Sequence, residues 1–449
     1  VGGLLILTVL VMPNLSIQLL QALKPWRNAK AWHVALSGGL DSTVLLHLLV
    51  QLRQTHSLPP LTAVHVHHGL QAVADAWPAH CQALCDALSV PLQVFHVQVR
   101  AGASLEGAAR DARYQAFVAV TQAQEVLLTG QHRDDQAETL LFRLLRGAGV
   151  SGLAGMPHQR TLGEGHLCRP LLDVSRAELE AYARANALTW VEDPSNTQTD
   201  FSRNYLRHEI FPALTNRWPQ ATASMARSAA HCAEAQGLLD ELAQQDLAGG
   251  NSYSELSWLG LPSLELAPIA GLSAARQRNA LRYWLAAFSR LPDTDHWAGW
   301  NALRDARDDA QPVWKLAEGE LHRAGGRIWW LWGDWLRQPV APLLWERPDL
   351  PLQLPGNGWL RLLGDIPDGP LRVSYRKGGE VMEVAQRGHR DLKRLLNERG
   401  VPVFVRGRLP LLVCSEQLLA VANLNGLDRD PRGRWQLQWL PTSRDQGLS

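Results

Sequence analysis

At 449 residues, with 46% hydrophobic and 19% charged side chains, the chain has the length for two or three domains and the composition of an ordinary soluble globular protein. A balance of 44 basic against 43 acidic side chains neither proclaims nor excludes an RNA partner and leaves that question to local clusters. Five scattered cysteines, Cys81, Cys85, Cys168, Cys232 and Cys414, exclude a disulfide framework and point to a reducing, cytoplasmic setting.

Residues 1–13 come first, nearly all apolar from Val1 to Met12 and broken by Pro13. They are too few to span a bilayer and lack the basic start of a signal peptide. They read as a leader, with translation beginning at Met12. No later window reads as transmembrane. From residue 14 to 218 strand-like and helix-like runs alternate. Strands are predicted at 32–36, 61–67, 92–99 and 125–129, and helices near 42–54, 72–89, 104–123 and 133–146. This alternation predicts an α/β domain with a doubly wound parallel sheet, helices on both faces and ligands at the carboxyl ends of the strands.

Between the first strand and the first of those helices lies Ser37-Gly38-Gly39-Leu40-Asp41-Ser42. A tight turn running into a helix N-terminus aims backbone N–H groups at an anion and adds roughly half a positive charge there. Gly38 and Gly39 let the backbone approach phosphate oxygens, and Ser37 and Ser42 supply hydroxyl donors. Asp41 would repel a phosphate unless a cation lay between them, so its position predicts Mg²⁺. No lysine follows the glycines, which rules out the Walker A loop.

His65, His67 and His68 end the second strand. Adjacent strand residues point to opposite faces and no further ligand joins them at metal spacing, so they predict the lining of a nucleotide pocket. On the next helix, after the potential N-cap Ser104, come Glu106, Arg110, Arg113 and Tyr114. Arg110 and Arg113 share a face and are suited to neutralising polyphosphate charge, while a Glu106–Arg110 surface pair is the plainer alternative. His132-Arg133-Asp134-Asp135-Gln136-Ala137-Glu138-Thr139 opens the helix after the fourth strand. Leu140, Leu141, Leu144 and Leu145 form its apolar stripe. Asp135 and Glu138 fall together on another side, where two carboxylates can hold an ammonium group, and Asp134 points nearer the packed side. Glu192-Asp193-Pro194-Ser195-Asn196 is a turn-rich loop leading to Arg203-Asn204-Tyr205-Leu206-Arg207, whose two arginines share a helix face suited to a phosphate or a base edge.

Residues 219–340 predict a helical middle domain, with amphipathic helices at 221–247 and 273–288 and tryptophans as packing residues. A Pro-rich stretch at 341–355 reads as a linker. Residues 356–440 predict a small mixed α/β domain. Between Leu371 and Arg408 ten basic residues, Arg390, Lys393 and Arg394 among them, face four acids, a surplus that suits an RNA backbone.

Several of these runs together resemble the bacterial tRNA(Ile)-lysidine synthetase family of PP-loop ATP pyrophosphatases. They are SGGLDS at 37–42, HVHHGL at 65–70, EGAARDARY at 106–114, HRDDQAET at 132–139, RPLL at 169–172, EDPSN at 192–196, RNYLR at 203–207 and DLKRLLNERGVP at 391–402. The loop marks the superfamily, and the last three runs narrow it. The resemblance implies an adenine nucleotide alpha-hydrolase-like fold of the N-type PP-loop kind. It implies adenylation of the wobble cytidine at C2 in an isoleucine tRNA with a CAU anticodon, converting ATP to AMP and pyrophosphate. Free L-lysine then displaces AMP to give lysidine, which switches decoding from AUG to AUA. By the same resemblance Ser37, Gly38, Gly39, Leu40, Asp41 and Ser42 hold ATP, with Asp41 as Mg²⁺ ligand, and Asp135 and Glu138 bind the lysine. Asp41, Arg110, Arg113 and His132 form the catalytic set, and Arg203, Asn204, Arg207, Arg390, Lys393 and Arg394 contact the tRNA. Family precedent suggests a homodimer. A PP-loop tRNA thiolase is the nearest rival, but no CxxC occurs in the chain. A catalytically idle tRNA-binding protein would have no use for Asp41, Ser42, Asp135 and Glu138.

Overall fold

The computed structural model describes residues 15–442 apart from 70–71, 100–104, 198–201, 250–255, 291–296, 308–309, 341–342, 385–386 and 430–432. The apolar leader, Leu70, Ser104 and the side chain of Glu106 lie outside the described residues. Two units divide the chain, one up to Gly237 and one from Leu238.

The first unit runs through helix α1 (15–22), β1 (Trp32–Ala35), α2 (Leu40–Arg53), β2 (Leu61–His67), α3 (Trp77–Ala87) and β3 (Leu92–His96). It continues through α4 (Leu105–Val120), β4 (Val126–Leu128), α5 (Arg133–Leu145), the short α6 (Val150–Leu153) and a hairpin of β5 (Gln159–Leu162) and β6 (Gly165–Cys168). After α7 (Arg176–Ala185) come α8 (Ser202–Tyr205), one π-helical turn at Leu206–Ile210, α9 (Phe211–Arg217) and α10 (Ala221–Ala248), which extends past the unit's end.

The six strands lie in the order β3-β2-β1-β4-β6-β5, parallel except for β5 against β6. Val34 of β1 sits opposite Ala63 on one side and Leu128 on the other. The chain therefore winds outward from β1 in both directions, and a crevice opens where the carboxyl ends of β1 and β4 diverge. Strand alternation sends Val34, Ala63, Val126 and Leu128 into one core with Leu45 and Leu49 of α2, Cys81 and Cys85 of α3, and Leu179 of α7. Val64 and Leu127 point the other way, onto Phe117 and Tyr114 of α4. Burial on both faces accounts for the apolar residues on either side of β1, β2 and β4. It also pushes the thiols of Cys81 and Cys85 up to about 12 and about 11, which leaves them inert. The predicted doubly wound sheet is present. The β5–β6 hairpin is an addition that the sequence did not suggest, and α3 starts only at Trp77 because Pro78 needs a first-turn position.

The second unit departs from the helical expectation for residues 219–340. It has helices at Leu266–Ala270, Ala274–Leu285 and Trp297–Asp305. It also has a four-stranded antiparallel sheet of Ser263–Glu265, Arg327–Leu331, Glu320–Ala324 and Val313–Lys315. Arg327–Leu331 is buried at every position, so no alternation betrays the strand. The Pro-rich stretch read as a linker is packed instead. It supplies strands Leu343–Leu344 and Leu352–Leu354, and Trp345 is buried in one core with Trp329, Trp335, Leu412 and Trp439. The remaining strands and the helix Leu392–Glu398 form the mixed C-terminal part, with Leu392, Leu395 and Leu396 buried while Lys393 and Arg394 are exposed. Arg408 leaves the set of surface cations: it is buried and donates to the carbonyls of Asp334, Arg337 and Gly356. Among the described residues no helix is long and apolar enough to cross a membrane.

Candidate active site

The loop after β1 is shaped by one glycine above all. Gly38 has φ +87°, and a Cβ there would lie 2.7 Å from Val191 Cγ2. Val191 N–H donates to the Gly38 carbonyl at 2.9 Å, which pins the segment before Glu192 over the loop. Ser42 Oγ accepts from Ser37 N–H at 3.2 Å, lies 3.1 Å from Ser37 Oγ and donates to the Gly39 carbonyl. Both predicted hydroxyls therefore line the turn that opens α2, beside its free N–H groups.

Asp41 occupies the first turn of α2, and its Oδ1 is buried with no hydrogen-bond partner. Burial pushes its pKa up; the neighbouring His132 opposes the shift and Asp135 adds to it. His132 Nε2 lies 3.6 Å from Asp41 Oδ1 and 3.5 Å from Asp135 Oδ2, so the two carboxylates converge on one imidazole. Among the described residues no group of three His, Cys, Asp or Glu side chains could hold a metal by itself. An orphaned, buried carboxylate oxygen beside a phosphate-type loop does fit Mg²⁺, which is commonly held by one or two carboxylates and completed by substrate phosphates.

The loop after β4 reaches Asp41 because of Gly130, where a Cβ would stand 3.0 Å from the Asp41 backbone. His132 then caps α5: Asp135 N–H donates to its Nδ1 at 3.4 Å, and its own N–H donates to Asp135 Oδ2 at 3.1 Å. With Nδ1 accepting, the ring proton is assigned to Nε2, facing the two carboxylates. Asp134 takes the structural place expected of it, accepting from Arg176 N–H at the start of α7 at 2.9 Å.

Asp135 and Glu138 share a face, as their spacing predicts, and that face carries a cation of the chain itself. Arg207 donates from Nε to Glu138 Oε1 at 2.7 Å, and from Nη2 to Glu138 Oε2 at 2.9 Å and Asp135 Oδ1 at 3.2 Å. Burial pushes Glu138 upward, and the bonds from Arg207 only partly offset it. Burial opposes the charge on Arg207, yet Glu138, Asp135 and Asp41 outweigh it and hold the guanidinium above its usual value. Arg203, one helical turn away, reaches Thr139 Oγ1 at 3.2 Å, and Asn204 donates to the Ser195 carbonyl. His208 lies 2.7 Å from the Asn196 carbonyl, so EDPSN and RNYLR are bound to each other.

Two cavities meet at Asp41 and Asp135. The first, about 210 Å³, has an apolar side of Leu36, Val64, Val66 and Phe117 and a polar side of Ser37, His68, Arg110 and Arg113. His68 is pushed down to about 4 by burial and then by Arg113, so it enters as a neutral ring. Arg110 and Arg160 each place a guanidinium 4.9 Å from the centre of the Tyr114 ring. The second cavity, about 790 Å³, is lined by Gly39, His132, Glu138, Arg207, Trp77, Trp190 and Glu192, among others. Sequence reasoning missed Gly130, Trp77 and Trp190. Gly130 alone carried a signal, as a glycine just past a strand end on the binding edge. Arg390, Lys393 and Arg394 belong to the second unit.

A family model described as a PP-loop domain matches residues 11–214. Models described as the TilS substrate binding domain and the TilS substrate C-terminal domain match residues 264–329 and 371–439. The chain is 66% identical over 435 residues to a tRNA(Ile)-lysidine synthase of Pseudomonas fluorescens, covering 97% of this chain and 98% of that one. To the protein of that name in Pseudomonas aeruginosa it is 64% identical over 438 residues, covering 97% and 99%. In Shigella flexneri the identity is 41% over 401 residues, covering 87% and 91%.

Proposed function

The chain belongs to the tRNA(Ile)-lysidine synthase family, and on that footing we propose that it joins free L-lysine to C2 of the wobble cytidine in an isoleucine tRNA with a CAU anticodon. The observation that carries this reading is the meeting of two unlike cavities at Asp41 and Asp135. The phosphate-type loop lines both, the smaller adds Arg110 and Arg113, and only the larger reaches Glu138 of the acidic pair.

ATP lies in the first cavity with its phosphates on Ser37–Ser42, and Arg110 and Arg113 bear on the charge that develops there. Asp41, with Asp135 behind it, is the carboxylate that would hold Mg²⁺, and bound Mg²⁺ screens the phosphates from it. The cytidine O2 bonds to the α-phosphorus as the bond to pyrophosphate breaks. The acidic pair takes a proton from the lysine ε-ammonium, the freed amine bonds to C2 and gives its second proton to solvent, and AMP leaves with the former O2. Asp135 and Glu138 position the amine, and the His132 ring lies between the Asp41 and Asp135 carboxylates on which both halves converge. The chain from residue 219 to 340 and the basic domain at 356–440 carry the remainder of the tRNA, with Arg390, Lys393 and Arg394 on its backbone.

Purified protein supplied with that tRNA, ATP, Mg²⁺ and radiolabelled lysine is expected to label the tRNA; folded protein that transfers no label rejects the reading. For the backbone contacts, the doubly neutralised variant Lys393→Gln, Arg394→Gln is expected to bind tRNA more weakly. It should also flatten the slope of log affinity against log salt by about 2. An unchanged slope would remove these side chains from the interface.

A further inference from the structure

Arg207 stands where the proposed function puts a substrate cation. Glu138 is only 4% exposed, and both its oxygens are taken by the guanidinium fork; the third contact of the fork is Asp135 Oδ1. The other Asp135 oxygen is committed to the His132 N–H. Resting on the assignment of Asp135 and Glu138 as the lysine site, we propose that Arg207 is a built-in competitor for the amine. It neutralises the acidic pair while lysine is absent, and the substrate ammonium enters by displacing it.

Three observations support displacement over joint occupancy. A guanidinium and an ammonium on the same three oxygens would bring two positive charges into contact in a partly dehydrated site. The acidic pair does not favour standing empty either, because Asp135 adds negative charge beside Glu138, whose carboxylate is buried, and a resident cation relieves both. Arg207 also has somewhere to go: its side chain is 31% exposed and borders the 790 Å³ cavity. Its backbone lies in the π-turn Leu206–Ile210, an inserted residue between α8 and α9 of a kind that recurs at functional sites. Such a competitor sets a threshold: a bare monovalent ion or a short amine must beat a bidentate fork, whereas lysine brings the rest of its contacts to the exchange.

The test is calorimetric titration of L-lysine into the full-length protein without tRNA. Arg207→Ala is expected to tighten lysine binding by about tenfold or more and to lower the KM for lysine. Because Arg207→Ala leaves two carboxylates without a partner and can fail to fold, Arg207→Lys is measured beside it. It keeps a cation but loses the fork, and several-fold tighter lysine binding is expected. A folded variant that binds lysine no tighter than wild type, or more weakly, overturns the inference. Wild-type protein that transfers lysine to tRNA in that case leaves the underlying reading standing; wild-type protein that transfers none overturns the reading itself.

Discussion

Asp41→Asn is expected to abolish lysine transfer, by roughly 10²–10³-fold or more, while making the ligand-free protein more stable. The loss follows from removing the carboxylate best placed to hold Mg²⁺ against the phosphate loop. The gain follows from the same atom: Asp41 Oδ1 is buried without a partner, and burial raises its pKa. A carboxyl raised in the folded state binds its proton more tightly than the unfolded chain does. Its stabilising share is therefore complete below the unfolded value, about pH 4, and is lost as pH rises through the higher folded value. The Asn variant carries no such loss, so its advantage should be absent near pH 3 and present at pH 7, at about 1 kcal/mol or a few degrees in melting temperature. Thermal unfolding at both pH values, beside the transfer assay, checks both halves. A variant that stays active removes Asp41 from the chemistry, and one that is destabilised equally at every pH contradicts the electrostatic origin.

Glu138→Gln is expected to separate the two half-reactions. Lysine transfer should fall by about 10²-fold, mostly as a raised KM for lysine, because an amide holds an ammonium far less well than a buried carboxylate. Pyrophosphate release with tRNA in the absence of lysine should survive, since Glu138 borders the larger cavity and not the smaller one. Stability at pH 7 should not drop, because burial holds the Glu138 pKa up despite the bonds from Arg207 and the amide carries no charge to bury. Rapid-quench measurement of pyrophosphate and of labelled lysine on tRNA distinguishes the halves. Equal loss of both would place Glu138 on the phosphate side of the site.

Much of this architecture was legible because its chemistry is local. Ser37–Ser42 announces a phosphate loop through residues adjacent in sequence, and the i,i+3 spacing of Asp135 and Glu138 fixes a shared face on any helix. What the sequence left open is which groups face each other across the fold. The spacing of Arg203 and Arg207 shows that they share a side, and only the fold turns that side toward Thr139 and Glu138. Charge counting failed at Arg408 for a related reason: a buried guanidinium can be satisfied by three carbonyls and needs no acid in the sequence to announce it. The strand Arg327–Leu331 escaped because periodicity vanishes when both faces are buried, and the four-residue strands of the β5–β6 hairpin are too short to show any.

The most direct measurement follows the α-phosphate. Protein, the CAU-bearing isoleucine tRNA, Mg²⁺ and ATP labelled at the α-phosphorus are mixed without lysine, quenched, and the tRNA is separated; lysine is then added to a parallel sample. Label is predicted to accumulate on the tRNA in the first sample and to leave it as AMP in the second. Tight, folded complexes whose tRNA never acquires α-label, with lysine present or absent, would contradict the transfer of AMP at the Asp41 loop.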